Sequence, residues 1–184
     1  FSTIIPVIII ICFSSLVKAQ DGDQILDGIG ETGMVSRYIF NGDLKDWSRN
    51  NLHGIYQGGQ PKFVSDPKFN TVLSFENNNS TFLSLPSDAL LNIESLSIST
   101  WLFSKSATKT QTVFDFGKDK KSLFYASQQE GILNVNFAGI NLEGTSLPTN
   151  KWSHLVVVLD ASGKTVSLYV DNKLSAQKLS SQMQ

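Results

Sequence analysis

"KWSHLVVVLDASGKTVSLYVDNKL", residues 151–174, joins an apolar run, a turn, an alternating run and a second turn without a break. "WSHLVVVLD" is apolar almost throughout, as expected of a central strand covered on both faces. "ASGK" turns it, and "TVSLYVD" sets Val166, Leu168 and Val170 against Ser167 and Tyr169. "DNK" ends the pair in a tight turn. Two adjacent antiparallel strands of this kind require a sheet, and the rest of the chain supplies one.

From residue 33 onward, turn signals recur at the spacing of an all-β sandwich. "MVSRYIF" predicts a first strand, closed by Asn41-Gly42-Asp43, and "HGIYQ" a short edge strand. "TVLSF" and "TFLSL" flank "ENNNS", a hairpin or loop signal. In "SLSISTWLF", Leu96, Ile98, Thr100 and Leu102 share one face, with Ser97, Ser99, Trp101 and Phe103 on the other. "QTVFDFG", "SLFYAS" and "ILNVNFAG" continue the pattern. A single turn at "PSDALLNI", capped by Ser87, is the one helical candidate. The predicted core comprises Phe40, Leu73, Phe75, Ile98, Trp152, Val156, Val158, Leu168 and Val170, with Trp101 also inside. The fold class is all-β: two antiparallel sheets packed face to face.

The start of the chain has a different character. Residues 4–17 are apolar, and Val17-Lys18-Ala19 carries small residues where a signal peptidase needs them. The stretch is too short for a membrane span, so residues 1–19 are expected to be a secretory signal cut after Ala19. Cys12, the only cysteine, would leave with it, and burial rather than disulfides must hold the mature domain. No lipid anchor is expected at Cys12, because Ile11 precedes it where a small residue is needed. Residues 20–32 form a polar, Gly-rich lead-in. With 15 basic against 16 acidic residues, there is no basic field for nucleic acid. No membrane span is expected in the mature chain.

Four blocks in order carry a resemblance. "VSRYIFNGDLKDWSRNNLHGIYQGG", "VLSFENNNSTFLSLP", "SLSISTWLF" and "KWSHLVVVLDASGKTVSLYVDNKL" resemble the laminin-G-like domains of the concanavalin A-like jelly-roll superfamily, in their bacterial extracellular form. Residues 33–184 are thus identified as such a domain. Lys173 stands where the family usually has Gly. Such domains also usually close with a strand that pairs with the first one, and "LSSQMQ" does not supply it. The resemblance therefore implies a fragment of a larger protein, incomplete at its C-terminal end, with a first strand lacking its partner. It also implies a jelly roll that binds through loops or a sheet face, without covalent chemistry.

Several residues are candidates for that binding. Asp43, Asp46, Asn50 and Asn51 crowd one loop, the oxygen-rich composition that holds Ca²⁺; Asp43, Asp46 and Asn50 are the candidate metal ligands. Equally, Asp and Asn build turns and satisfy main-chain N–H groups. Trp47, in the same loop, is the candidate for stacking on a sugar, with Tyr56, Phe82 and Tyr125 behind it. His154 has no nucleophile or carboxylate at a motif-like spacing, and His53 reads as a loop residue. Two histidines and one cysteine leave no zinc cluster. Glu31, Glu76, Glu94, Glu130 and Glu143 are scattered at turns, without the paired carboxylates of a glycosidase. Catalytic residues: none. Asn78 and Asn79 begin formal glycosylation sequons; the bacterial resemblance argues against their use. The expected role is a non-catalytic accessory module, carbohydrate-associated, at the N-terminal end of a secreted protein such as a glycoside hydrolase. The alternative is a protein-interaction or adhesion module of the cell envelope. Its partners would be a glycan and the downstream domains of the same chain, and its place would be secreted, periplasmic or at the cell surface.

Overall fold

The computed structural model describes residues 10–12 (backbone), 33–75, 81–90, 94–118 and 121–179. The rest of residues 1–19, where a signal is expected, the lead-in at 20–32, the sequons, Glu31 and Glu76 lie outside them. Among the described residues fourteen strands run β1 (Ile10–Cys12), β2 (Met34–Arg37), β3 (Ile55–Gln57), β4 (Lys62–Asp66), β5 (Asn70–Ser74), β6 (Phe82–Ser84) and β7 (Leu96–Phe103). Then follow β8 (Gln111–Lys118), β9 (Lys121–Gln129), β10 (Ile132–Phe137), β11 (Ile140–Ser146), β12 (Trp152–Asp160), β13 (Thr165–Val170) and β14 (Lys173–Leu179). A 3₁₀ turn at Ser87–Leu90 stands where the helical signal was read.

A six-stranded sheet is ordered β14-β13-β12-β7-β1-β2, and a four-stranded sheet β11-β10-β9-β8. All the ladders are antiparallel. Leu96, Ile98, Leu102, Leu155, Val157, Leu159 and Leu168 from the first sheet meet Phe114, Phe124, Ala126, Leu133, Val135 and Leu142 from the second. Tyr38, Phe40 and Leu73 complete this core. The all-β sandwich is as the alternation predicts.

Hairpin turns follow from local chemistry. Asp171 and Asn172 both take positive φ, 48° and 64°, as a two-residue turn between twisted strands requires. Asn tolerates that region, so Lys173 in place of Gly leaves the turn intact. At Asp160 the carboxylate accepts from the Ser162 hydroxyl and the Gly163 N–H, shaping the 161–164 turn and lowering the Asp160 pKa. Where the two sheets close on one edge, Gly144 is needed. A Cβ there would overlap Leu168 and sit 3.0 Å from the Leu133 carbonyl and the Ser175 hydroxyl. Ser175 Oγ instead accepts the Thr145 N–H at 2.7 Å, and Lys178 donates to the Asn141 carbonyl.

Three expectations are corrected. Trp152, Val156 and Val158 face away from the core: in β12 the buried set is Ser153, Leu155, Val157 and Leu159. Trp101 likewise lies on the outer face of β7, where Leu96, Ile98, Thr100 and Leu102 point inward. A strand turns alternate residues to opposite faces, and the aliphatic set takes the inside. Next, β5 and β6 do not pair with each other. β5 pairs with β4, which the sequence reading leaves unassigned, and β6 with β3. Finally, β2 has a ladder partner: Ile10–Cys12 lies between β2 and β7.

Candidate functional site

The loop after β2 is organised around Asp46. Tyr38 and Asp46 form an isolated antiparallel bridge, and the Asp46 side chain turns inward, 5% exposed. Its Oδ1 accepts the N–H groups of Arg37 and Ser48, each at 2.8 Å. Its Oδ2 accepts the Ser48 hydroxyl at 2.7 Å and the Leu52 N–H at 2.9 Å. Burial alone would raise this carboxyl; the four donors outweigh it and hold the pKa below the ordinary 3.8. The Asp46 N–H in turn donates to Nδ1 of His53. Tyr38 donates its phenol to the Leu52 carbonyl from beneath.

Asp43 and Asn50 serve neighbouring positions. Asp43 accepts the Lys45 N–H, and the Asn50 amide donates to the Met34 and Val35 carbonyls at 2.9 Å. Among the described residues, no group of three or more His, Cys, Asp or Glu side chains converges as a metal site would.

This frame holds Trp47 outward. The Trp47 N–H donates to the Arg37 carbonyl at 2.7 Å, and Arg37 donates back to the Trp47 carbonyl. The main chain on either side of the indole is thereby fixed while the side chain is 49% exposed. Of the other aromatic candidates, Phe82 is exposed at the β3–β6 ladder; Tyr56 stacks on Phe75, 5.7 Å between centroids, against the core. Tyr125 is half-buried on β9.

A second cluster, not anticipated from the sequence, covers the outer face of β7 and β12. Register sets His154 opposite Trp101 and Trp152 opposite Phe103. The His154 and Trp101 rings lie 4.9 Å apart, and Nε2 of His154 is 2.8 Å from the Ser99 hydroxyl. The turn between β4 and β5 lies across them. Phe69 meets Trp101 at 5.4 Å and the edge of Trp152 at 4.7 Å, while Asp66 accepts the Trp152 indole N–H at 3.1 Å. Asp66 also accepts the N–H groups of Lys68 and Phe69, which forms the turn. Asp66-Pro67 is a turn-initiating pair, the signal that would have revealed this hairpin.

The Ser99–His154 pair does not amount to a nucleophile and its base. Asp171 accepts the main-chain N–H of His154, and its own N–H donates to the His154 carbonyl, so both of these bonds are to the backbone and neither is to the ring. Burial lowers the imidazole pKa, Asp171 opposes and Lys68 adds to the lowering. The result is a neutral ring packed on an indole.

A family model described as the concanavalin A-like lectin/glucanases superfamily matches residues 77–182, more than half of the chain. The chain belongs to this superfamily. The matched span runs from β6 to β14 and contains the Trp101–His154 face; the Asp46 loop and Trp47 precede it. Among curated proteins, none matches this sequence. Membership supports a lectin-like or binding module. No helix among the described residues is long and apolar enough to cross a membrane.

Proposed function

We propose that this domain is a non-catalytic, carbohydrate-associated module at the N-terminal end of a larger secreted protein such as a glycoside hydrolase. The observation that carries the reading is Trp47: an exposed indole whose main chain is bonded on both sides, next to a loop locked by a saturated buried carboxylate. An indole face takes the C–H face of a sugar, and fixing the loop in advance reduces the ordering cost of binding. Polar groups of the same loop, the half-buried Asp43 and the exposed Asn51 among them, would meet the hydroxyls. Affinity is weak, because a ring on an open surface buries little area and each sugar hydroxyl loses water.

The test is a glycan array followed by calorimetry, with and without Ca²⁺. Trp47→Ala should weaken binding by about tenfold, the scale of one stacking contact, at an unchanged melting temperature. Binding that needs Ca²⁺ and fails in Asp46→Ala would assign Asp43, Asp46 and Asn50 to a metal. No glycan signal from the folded domain, or sugar release by it, would overturn the proposal. The adhesion alternative is favoured by Leu174 and Leu179, exposed along β14 at the edge of the six-stranded sheet.

A further inference from the structure

The β4–β5 hairpin is anchored at its base and clamped at its tip. At the base, Leu73 is buried in the core, and Phe63, its ladder partner, packs against the same core. The tip, residues 66–70, meets the outer face of β7 and β12 through three side chains. Asp66 accepts the Trp152 indole N–H, Phe69 touches the Trp101 and Trp152 rings, and the Lys68 ammonium lies over Trp101. Main-chain N–H groups bond within the tip: Lys68 and Phe69 donate to Asp66, and Thr71 donates to the Phe69 carbonyl. A segment held in this way can lift from a sheet without breaking the sheet's own ladders.

Under the tip lies an ionisable ring. The His154 imidazole is 4.9 Å from the Trp101 ring, which already carries the Lys68 ammonium 3.5 Å from its centroid. From the tip, Lys68 and Asp66 face this cluster; from the turn after β13 comes Asp171. From β7 the Ser99 hydroxyl is 2.8 Å from Nε2, and the Tyr169 phenol of β13 pairs one outward position along β12, at Val156. Both carboxylates are already engaged. Asp66 accepts from Lys68, Phe69 and Trp152, and Asp171 accepts the main-chain N–H of His154. An imidazolium here would share one indole with a second cation, and neither carboxylate is bonded to its ring.

We infer that the β4–β5 tip is an acid-released strap with His154 as its trigger: a proton on the imidazole drives Lys68 off the shared indole and bares Trp101 and Trp152. The forces act in one direction. Two cations this close repel across less than a Debye length, and the negative ring face that attracts Lys68 must divide between them. Lifting the tip carries Lys68 away and admits water to the imidazolium. The sign follows from the same contacts. In the latched form the imidazole is held below its ordinary 6.5, first by burial and then by Lys68, with Asp171 opposing. The latched form therefore binds fewer protons than the released one. The strap holds fully above pH 6.5 and loosens as pH falls from there through the lowered value.

The experiment uses the full chain with Trp47→Phe, which leaves Trp101 and Trp152 as its only tryptophans. Emission and acrylamide quenching are followed from about pH 8 to about pH 5, the range in which histidine titrates. Emission should move to the red and quenching should rise, with cooperative unfolding retained at the acid end. His154→Gln keeps a polar group beside Ser99 but takes up no proton, so its emission should stay constant. Lys68→Met keeps the stem without the charge, so its transition should be smaller and centred nearer pH 6.5. In parallel, NMR follows the His154 ring in the Trp47→Phe chain, where His53 is the only other histidine. The His154 midpoint should coincide with that of the emission change. This comparison leaves His154 and Lys68 in place, so it decides even where their variants fold poorly. A flat emission profile, an equal red shift in His154→Gln, an unchanged profile in Lys68→Met, or midpoints that differ would each overturn the inference. So would a shift that arrives only as cooperative unfolding is lost, which would make it acid unfolding of the whole domain.

Discussion

Lys68 holds its ammonium nitrogen 3.5 Å from the centroid of the Trp101 ring. The same turn presses Phe69 between Trp101 and Trp152, and Asp66 ties the Trp152 indole to its start. A two-stranded ladder outside both large sheets is thus fastened to one of them by aromatic contacts. Phe69→Ala should cost about 2 kcal/mol, two ring pairs together with the lost burial. Lys68→Ala should cost about 0.5–1 kcal/mol, the range of an exposed cation–π contact. Urea unfolding measures both, and Phe69→Ala should shift tryptophan emission to the red as Trp101 and Trp152 lose their cover. A larger cost for Lys68→Ala than for Phe69→Ala would show that the ammonium, not the ring, fastens the turn.

Asp46 has a pH signature. Its carboxyl is held below the ordinary 3.8 by its hydrogen bonds, against the effect of burial. A lowered carboxyl contributes stability that is complete above its unfolded pKa and is lost as pH falls through the folded value. Asp46→Ala leaves three N–H groups and a hydroxyl without their acceptor, so it should cost about 3 kcal/mol or more at neutral pH. Acid unfolding of the variant should be flatter below pH 4 than that of the parent. A cost that appears only when Ca²⁺ is present would contradict a role in folding by hydrogen bonds alone.

Tyr38 is the counterpart at alkaline pH. Burial pushes its phenol up to about 12, with the Ser36 hydroxyl opposing and the Asp46 charge adding. A raised acid stabilises the fold fully below its ordinary pKa of 10.0, and that contribution is lost as pH rises through about 12. Tyr38→Phe should remove the last step of a spectrophotometric tyrosine titration and cost about 1 kcal/mol through the lost bond to the Leu52 carbonyl. A variant with the same alkaline titration as the parent would assign that step elsewhere.

The sheets were legible because alternation is a local property. Leu96, Ile98, Thr100 and Leu102 were placed on one face, and all four are buried. Trp101 and Trp152 read as core residues from their ring size, whereas their parity in the strands puts both outside. Trp47 was correctly read as exposed, since Asp and Asn around it mark a turn. What no local pattern could show is the meeting of Ser99, Trp101 and His154. That neighbourhood exists only through the pairing of β7 with β12, two strands separated by the whole second sheet. The β4–β5 hairpin, by contrast, carries a local signal of its own, the turn-initiating pair Asp66-Pro67.

The β7–β12 ladder has a kinetic consequence. It binds Phe103 to Trp152 at its near end and Leu96 to Leu159 at its far end, with four strands threaded between them. Hairpins such as β12–β13 or β9–β10 close short loops and can form early, whereas this ladder must first close a long one. Its formation is therefore the expected entropic bottleneck of folding, with the second sheet condensing inside the loop. Chevron analysis would locate it. Ile98→Val and Val157→Ala should slow refolding in proportion to their cost, while Ala176→Gly in the last hairpin should chiefly speed unfolding. The reverse pattern would mean that the chain begins to fold at its C-terminal hairpin and joins β7 last.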